Sequence, residues 1–178
     1  MAISFRLVMV LRAGRTMTHT ADICDALDDQ ARVARSIFQD YGGKPVFNGV
    51  ISTVKCFEDN SLVRDAVAEP GNNRVLVIDG RASMRCALLG DLLAAKAVEN
   101  GWQGVIVNGC IRDSGAIAEM QLGVKALGTH PRKTVKLGAG QRDVTVEFAG
   151  EVFEAGKYVY ADSDGIVITD EPVVSDDN

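Results

Sequence analysis

Residues 74–113 read RVLVIDGRASMRCALLGDLLAAKAVENGWQGVIVNGCIRD. The opening RVLVID, Arg74–Asp79, is an unbroken apolar run ending in an acid, the pattern of a strand covered on both faces. A loop, Gly80–Arg85, leads to the alanine-rich Asp91–Asn100, which has helical composition and a stop at Gly101. Val105–Val107 is a second buried strand, ending at Asn108-Gly109. Strand, helix and strand in that order make a βαβ unit, so the two strands are expected to be parallel and joined by a right-handed crossover.

Outward from this unit the pattern changes on each side. On the N-terminal side, Thr20–Phe38 carries a candidate N-cap and apolar positions at Ile23, Ala26, Leu27, Val33, Ile37 and Phe38, which predicts one helix closed by Gly42-Gly43 and Pro45. Phe47–Phe57 is rich in β-branched residues with strand alternation, and Asn60–Val67 predicts a short helix. On the C-terminal side, Val124–Leu127, Val144–Phe148, Val152–Phe153, Tyr158–Tyr160 and Ile166–Thr169 predict short strands separated by glycine-containing turns. The fold class is α/β in a single domain, with the βαβ unit in its middle and short strands at the C-terminal end. The segment after Asp170 is short and acidic and is expected to fray.

The bulk properties narrow the function. The 178 residues suit one domain, and 47% apolar with 24% charged residues is ordinary globular composition. A net charge of −5 disfavours direct nucleic-acid binding. Arg132, Lys133 and Lys136 form the densest basic patch, which is small and reads as a solvated loop. Cys24, Cys56, Cys86 and Cys110 are too widely spaced for a zinc cluster or redox pair, and they fit reduced thiols in a cytosol. His19 and His130 are the only histidines, too few for a three-histidine metal site. No apolar run reaches the roughly eighteen residues of a membrane span. Met1–Arg15 lacks a secretory pattern, so residues 1–17 are expected to be a disordered extension, with Met17 as an alternative start. A cytoplasmic protein is expected.

Chemistry-bearing residues gather in the βαβ unit. Ligands of open α/β folds bind beyond the carboxyl ends of parallel strands, where helix N-termini offer free N–H groups. The loops before Gly90 and after Gly109 leave that same edge. They bring the N–H groups of Leu92 and Leu93, the Arg112 guanidinium, and the Asp91 and Asp113 carboxylates to one cleft. An arginine fork with helix N–H groups suits a carboxylate ligand, and a lone carboxylate such as Asp113 can hold Mg²⁺ or Mn²⁺ whose shell is otherwise water and substrate. The plainer alternative makes Asp91 an N-cap and Arg112-Asp113 an exposed loop pair. Gly138-Ala139-Gly140 lacks a third glycine and precedes a strand, so it reads as a turn rather than a dinucleotide loop. VLVIDGRAS carries one glycine where a methyltransferase-like loop has several. His130-Pro131 reads as a structural loop, Cys110 lies near the cleft without an activating histidine, and Asp162, Asp164 and Gly165 read as a hairpin turn.

Tyr41-Gly42-Gly43, ISTVKCFEDNSLV (51–63), RVLVIDG (74–80), ALLGDLLA (87–94), NGWQGVIVNGCIRD (100–113), LGVKALGTHPRKT (122–134) and YADSDGIV (160–167) together resemble the regulator of ribonuclease activity A (RraA-like) family, which includes 4-hydroxy-4-methyl-2-oxoglutarate aldolases. The resemblance runs from residue 18 to 172, leaving 1–17 and the acidic 173–178 outside. It implies a swivelling β/β/α sandwich assembled as a homotrimer, or a pair of trimers, with the site between subunits. Aldolase members carry D-x20-R-D; here Asp91, the twenty residues Leu92–Ile111 and then Arg112-Asp113 reproduce it. The resemblance implies Asp113 as ligand of a divalent metal (Mg²⁺ or Mn²⁺), Arg112 as substrate-binding, and Gly90, Asp91, Leu92 and Leu93 as the seat of a pyruvyl carboxylate. Arg112 and Asp91 would be the catalytic pair of a class II aldolase with oxaloacetate decarboxylase activity. Two departures stand out. Ala116 occupies a position that is acidic in many aldolase members, and the longer C-terminal segment of dedicated degradative aldolases is missing. The family's ribonuclease regulators supply the alternative, a protein that inhibits an RNA-processing endonuclease by binding it or its helicase partner.

Overall fold

The computed structural model describes residues 18–174. Its elements, in chain order, are α1 (Thr20–Leu27), β1 (Arg32–Val33), β2 (Gln39–Asp40), β3 (Phe47–Lys55), α2 (Ser61–Ala68), β4 (Val75–Asp79), β5 (Ala87–Leu89), α3 (Asp91–Glu99), β6 (Gly104–Ile111), α4 (Ser114–Ala118), β7 (Gly123–Thr129), β8 (Gln141–Arg142), β9 (Val146–Phe148), β10 (Glu151–Phe153), β11 (Tyr158–Ala161) and β12 (Ile166–Thr169).

The expected βαβ unit is present: β4 and β6 are parallel neighbours with Val75 opposite Gly104 and Asp79 opposite Asn108. It belongs to a run of parallel strands β3, β4, β6 and β7, with α2, α3 and α4 in the successive connections. Alternate residues of these strands serve two cores, as the two-residue period of a strand requires. Leu76, Ile78, Val105 and Val107 face the helices and pack with Val63, Ala94, Ala97 and Trp102. Val75, Val77 and Ile106 face the other way, onto Phe148, Phe153, Val159 and Ile168. Both faces are covered, which explains the uninterrupted apolar run of β4.

The second β layer grows out of β3. Phe47–Val50 pair antiparallel with β11, whereas Ile51–Lys55 pair parallel with β4. One nine-residue strand therefore belongs to both sheets. Beyond it run β11, β12 and β1, and the β9–β10 hairpin packs beneath. Phe47 fixes the junction by lying across the starts of β6 and β7, where a Cβ on Gly104 or Gly123 would fall 2.3 or 2.0 Å from its ring. Sheet, sheet and helix layer make the β/β/α sandwich.

Several expected boundaries shift. The helix expected over Thr20–Phe38 ends at Leu27, because Asp28 turns to φ +48° and a short 3-10 turn follows. Arg32-Val33 is instead recruited as an edge strand against Ile168 and Val167, which leaves Val33 and Ile37 half exposed. The strand expected to stop at Asn108-Gly109 continues to Ile111, because β5 and β7 pair with its far end. The tail does not fray at Asp170: Val173 is buried beside Ile23, Tyr160 and Val167, and its N–H donates to the Tyr160 hydroxyl at 2.8 Å. The expected extension 1–17 and the last residues, 175–178, lie outside the described residues. Among the described residues no helix is long and apolar enough to cross a membrane.

Candidate active site

Two adjacent parallel strands deliver the site. β5 ends at Leu89 and β6 at Ile111, and these two residues are paired. The next residues of each strand therefore emerge side by side, and the Arg112 N–H donates to the Leu89 carbonyl at 2.9 Å. From β5 the chain enters α3 through Gly90 and Asp91, while from β6 it turns through Arg112 and Asp113 into α4.

Asp113 makes that turn in the left-handed region, φ +56° and ψ +35°, a conformation asparagine and aspartate tolerate better than most residues. The turn aims its carboxylate back at α3. The Asp113 Oδ2 accepts the Asp91 N–H at 3.3 Å and lies 3.3 Å from the Arg112 Nε. Gly90 sits at the crossing. A Cβ there would lie 2.9 Å from Asp113 Oδ2, 3.1 Å from Arg112 Nε and 3.3 Å from Arg112 Cγ. The Gly90 backbone is extended, at φ −131°, so what the glycine provides is room for the Arg112 and Asp113 side chains and not an unusual turn.

Gly90, Asp91, Leu92, Leu93, Arg112 and Asp113 lie together here, and of these Gly90, Leu92, Leu93 and Arg112 line the cavity. The Leu92 N–H donates to the Asp91 Oδ1 at 2.8 Å, so Asp91 both belongs to the D-x20-R-D pattern and caps its own helix. Arg112 and Asp113 remain accessible, with side chains 37% and 40% exposed. A cavity of about 120 Å³ opens beside them, lined by Gly90, Leu92, Leu93, Arg112, Asn60 and Thr134 among others. No cluster of three or more histidine, cysteine or acidic side chains suited to a metal occurs among the described residues. Asp113 belongs to no such cluster, and its Oδ1 accepts no hydrogen bond from the described residues. Such a donor fits a hard cation that keeps most of its water, as Mg²⁺ does, and does not fit a dedicated protein cage. Asp79, at the end of β4, is committed elsewhere, accepting from Asn108 Nδ2 and the Arg81 N–H. Asp162, at the opposite end of the sheet from the site, accepts from the Thr20 N–H and hydroxyl and from the Asp164 and Gly165 N–H groups in the expected hairpin turn.

The structure refines two of the sequence readings. Cys110 is buried within β6 with its Sγ 3.4 Å from the Met84 Sδ, and it does not line the cavity; burial pushes its thiol pKa up. Lys133 and Lys136, read as part of a solvated loop, line the same cavity as Arg112. Their loop is held against the site at both ends. The Ala87 N–H donates to the Arg132 carbonyl at 2.8 Å, and the Thr134 hydroxyl donates to Asn60 Oδ1 at 2.7 Å. Farther along, Asp59 Oδ2 accepts the Leu137 and Ala139 N–H groups at 2.8 and 3.0 Å, and the Ser61 hydroxyl accepts that of Gly138 at 3.1 Å. Asp59 is 2% exposed. Burial alone would raise its pKa, but the hydrogen bonds from Ser61, Ala139 and Leu137 outweigh it and hold the carboxyl well below the usual range. The one sequence signal for this arrangement was the basic spacing 133–136 itself.

The fold and site define the class: a β/β/α sandwich whose parallel-strand edge brings an arginine, an aspartate and a helix N-terminus together beside one cavity. The chain belongs to the RraA-like family, whose Aldolase/RraA profile matches residues 20–168. It is 57% identical over 155 residues to a protein of Alkalilimnicola ehrlichii named "Putative 4-hydroxy-4-methyl-2-oxoglutarate aldolase", covering 87% of this chain and 96% of that one. It is 53% identical to a protein of the same name from Aromatoleum aromaticum, with 87% and 98% covered. Among solved structures, the RNA-processing inhibitor RraA of Thermus thermophilis superimposes with a TM-score of 0.86 at 38% identity, over 90% of this chain and 97% of that one. A Geobacillus kaustophilus structure described as an S-adenosylmethionine:2-dimethylmenaquinone methyltransferase gives 0.85 at 51% identity, with 90% and 99% covered.

Proposed function

We propose that this protein is a divalent-metal-dependent lyase that cleaves 4-hydroxy-4-methyl-2-oxoglutarate into two molecules of pyruvate and also decarboxylates oxaloacetate. The observation that carries the reading is the meeting of Arg112 Nε, Asp113 Oδ2 and the first N–H of α3 across Gly90, at the lip of one cavity.

In this reading the substrate's C1 carboxylate docks on the N-terminal N–H groups of α3, where the partial positive charge of the helix favours an anion. It takes the Leu92 N–H from Asp91 Oδ1 and so releases the Asp91 carboxylate for another task. Arg112 places its fork on the C2 carbonyl oxygen and stabilises the negative charge that grows there as the C3–C4 bond breaks. Asp91, through a water, takes the proton of the C4 hydroxyl; the C4–O bond becomes a ketone and the C3–C4 pair passes into the pyruvate enolate. A proton returned to C3 completes the second pyruvate. Oxaloacetate would lose carbon dioxide through the same enolate. Asp113 would hold Mg²⁺ or Mn²⁺, which when bound supplies Lewis-acid polarisation of the 2-oxo acid.

We expect a homotrimer or a pair of trimers in the cytoplasm. Leu92 and Leu137, 78% and 77% exposed, are apolar side chains at the cleft and on its loop that a neighbouring subunit would cover. The four cysteines are free, as a reducing compartment allows. The test is pyruvate release from both substrates with and without chelator. Metal-restored turnover supports the reading, and turnover by fully metal-free protein refutes the metal-dependent mechanism.

The likeness to the RNA-processing inhibitor RraA favours a second reading, inhibition of an RNA-processing endonuclease through contact with it or its helicase. Purified protein should then slow RNA cleavage, and Asp113→Ala should leave that inhibition intact. Absence of binding at micromolar concentration removes this reading.

A further inference from the structure

Met84 takes no part in the site around Arg112. It lies in the loop between β4 and β5 and is 48% exposed, yet its Sδ rests 3.4 Å from the Sγ of Cys110, which is fully buried. Cys110 of β6 and Gly128 of β7 are register partners, and a Cβ on Gly128 would fall 2.8 Å from the Met84 Cε. The end of the methionine therefore lies over that pair. Its methyl group sits where β7 has no side chain, and its sulfur accepts the Cys110 S–H. The loop is held on both sides of Met84: the Ser83 hydroxyl and the Arg85 Nε each donate to the Glu58 Oε1 at 2.6 Å. A half-exposed thioether thus covers a buried thiol. Met120, by contrast, packs against the core on the helix side of the sheet.

We propose that Met84 and Cys110 form a peroxide-responsive pair of modification sites, in which oxidation of Met84 comes first and uncovers Cys110 for a second oxidation. In the first step the Met84 sulfur gives an electron pair to one oxygen of hydrogen peroxide; the O–O bond breaks, an S–O bond forms, and the other oxygen leaves as water. The sulfoxide is polar, and on a seat made by Gly128 and a weakly donating thiol its oxygen would be stranded. The three rotatable bonds of the side chain let it swing out to water, while the Glu58 clamp keeps the backbone in place. Cys110 then meets solvent. Burial is what pushes its thiol pKa up, so uncovering it raises the thiolate fraction. The thiolate attacks a second peroxide and becomes a sulfenic acid; the hydroxide that leaves takes up the proton shed by the thiol, giving water. The order of events is set by cover, since the buried thiol cannot react until the exposed thioether has moved.

The test uses the native full chain, hydrogen peroxide and peptide mass spectrometry, and it reads no turnover, so it stands apart from the lyase reading. Met84 should become the sulfoxide before Met120 does and before Cys110 is oxidised. Maleimide labelling of Cys110 in the folded protein should then rise about ten- to hundredfold, the change expected when a stranded polar group shifts a local opening equilibrium. Cys56, equally buried but away from the methionine, is the control for unfolding and should stay unlabelled. Met84→Leu keeps an apolar cover of similar size that peroxide cannot oxidise, so its Cys110 should remain closed after the same treatment. Met84→Gln places a polar group on the seat and should leave Cys110 open without peroxide. Treatment of the oxidised wild type with a methionine sulfoxide reductase should close it again. Three results overturn the proposal: Met84 resists peroxide as well as Met120 does, Cys110 labels at the same rate before and after Met84 oxidation, or Cys56 labels in step with Cys110. Opening of Cys110 by peroxide in Met84→Leu overturns it as well.

Discussion

Gly90→Ala adds a single methyl group at the crossing of Arg112 and Asp113. Its Cβ would stand 2.9 Å from Asp113 Oδ2 and 3.1 Å from Arg112 Nε, whereas ordinary contact begins at 3.4 Å. The carboxylate must retreat by about 0.5 Å and the guanidinium by about 0.3 Å, in a site where a misplacement of about 1 Å costs a hundredfold. A loss of about ten- to a hundredfold in kcat/KM for pyruvate release is expected. Stability should hardly move. The extended Gly90 backbone accepts alanine, and the lost chain freedom of the unfolded state stabilises by about 0.4–1 kcal/mol. Alanine is a poorer N-cap than glycine by a comparable amount, so the two effects offset. Tm should stay within about 4 °C of wild type, the shift that about 1 kcal/mol produces in a chain of this size. A variant with unchanged kcat/KM refutes the placement of the two groups. A variant that unfolds many degrees earlier shows that Gly90 serves the fold and not the site.

Asp113→Ala should abolish Mn²⁺ binding measured by electron paramagnetic resonance, while Arg112→Lys should bind Mn²⁺ and turn over at least tenfold more slowly, because it keeps the charge but loses the fork; Mn²⁺ binding by Asp113→Ala at wild-type affinity refutes the ligand assignment. Asp59→Asn leaves one oxygen where two now accept N–H groups, stranding at least one buried donor, so it should cost about 1–3 kcal/mol in urea unfolding; a neutral result refutes the loop anchor. Asp59 and Asp162 are both held below the ordinary carboxylate range, so their stabilisation is complete above an unfolded pKa of about 3.9 and is lost as pH falls below it. Asp162→Asn should therefore flatten the decline in stability below about pH 4, and an unaltered decline contradicts its role. Burial first, with Asp59, Asp79 and Cys86 adding to it, pushes the Cys56 thiol up to about 12, so alkylation at pH 8 should reach Cys56 only on unfolding, as read by peptide mass spectrometry; rapid native labelling would show that it is accessible.

The parallel core was legible because strands covered on both faces have no polar residues to interrupt them: Val75–Asp79 and Ile166–Thr169 stand almost where their sequences put them. The Arg112-Asp113 half of the site was legible for a related reason, since a strand end beside a helix start is a local event that spacing can encode. The two-residue strands β1, β2 and β8 were not, because two residues carry no period and pair only when a distant edge is offered. α4 was missed because five residues, opened by a left-handed Asp113, lack the usual start and length of a helix. That the loop 132–139 borders the cavity was hard to read for a tertiary reason. The bonds that hold Leu137, Gly138 and Ala139 of that loop run to Asp59 and Ser61, about eighty positions earlier in the chain.

The cap of α1 has a consequence for synthesis. The Thr20 N–H and hydroxyl are held by a carboxylate 142 residues later, and β1 pairs with β12. At translation speeds of 5–20 residues per second, the first helix waits roughly 7–30 s for its cap to be made. Through that interval the parallel strands β3, β4, β6 and β7 can assemble, because their pairings are sequential. The contacts that fix α1 and β1 can therefore form only once nearly the whole chain has been made.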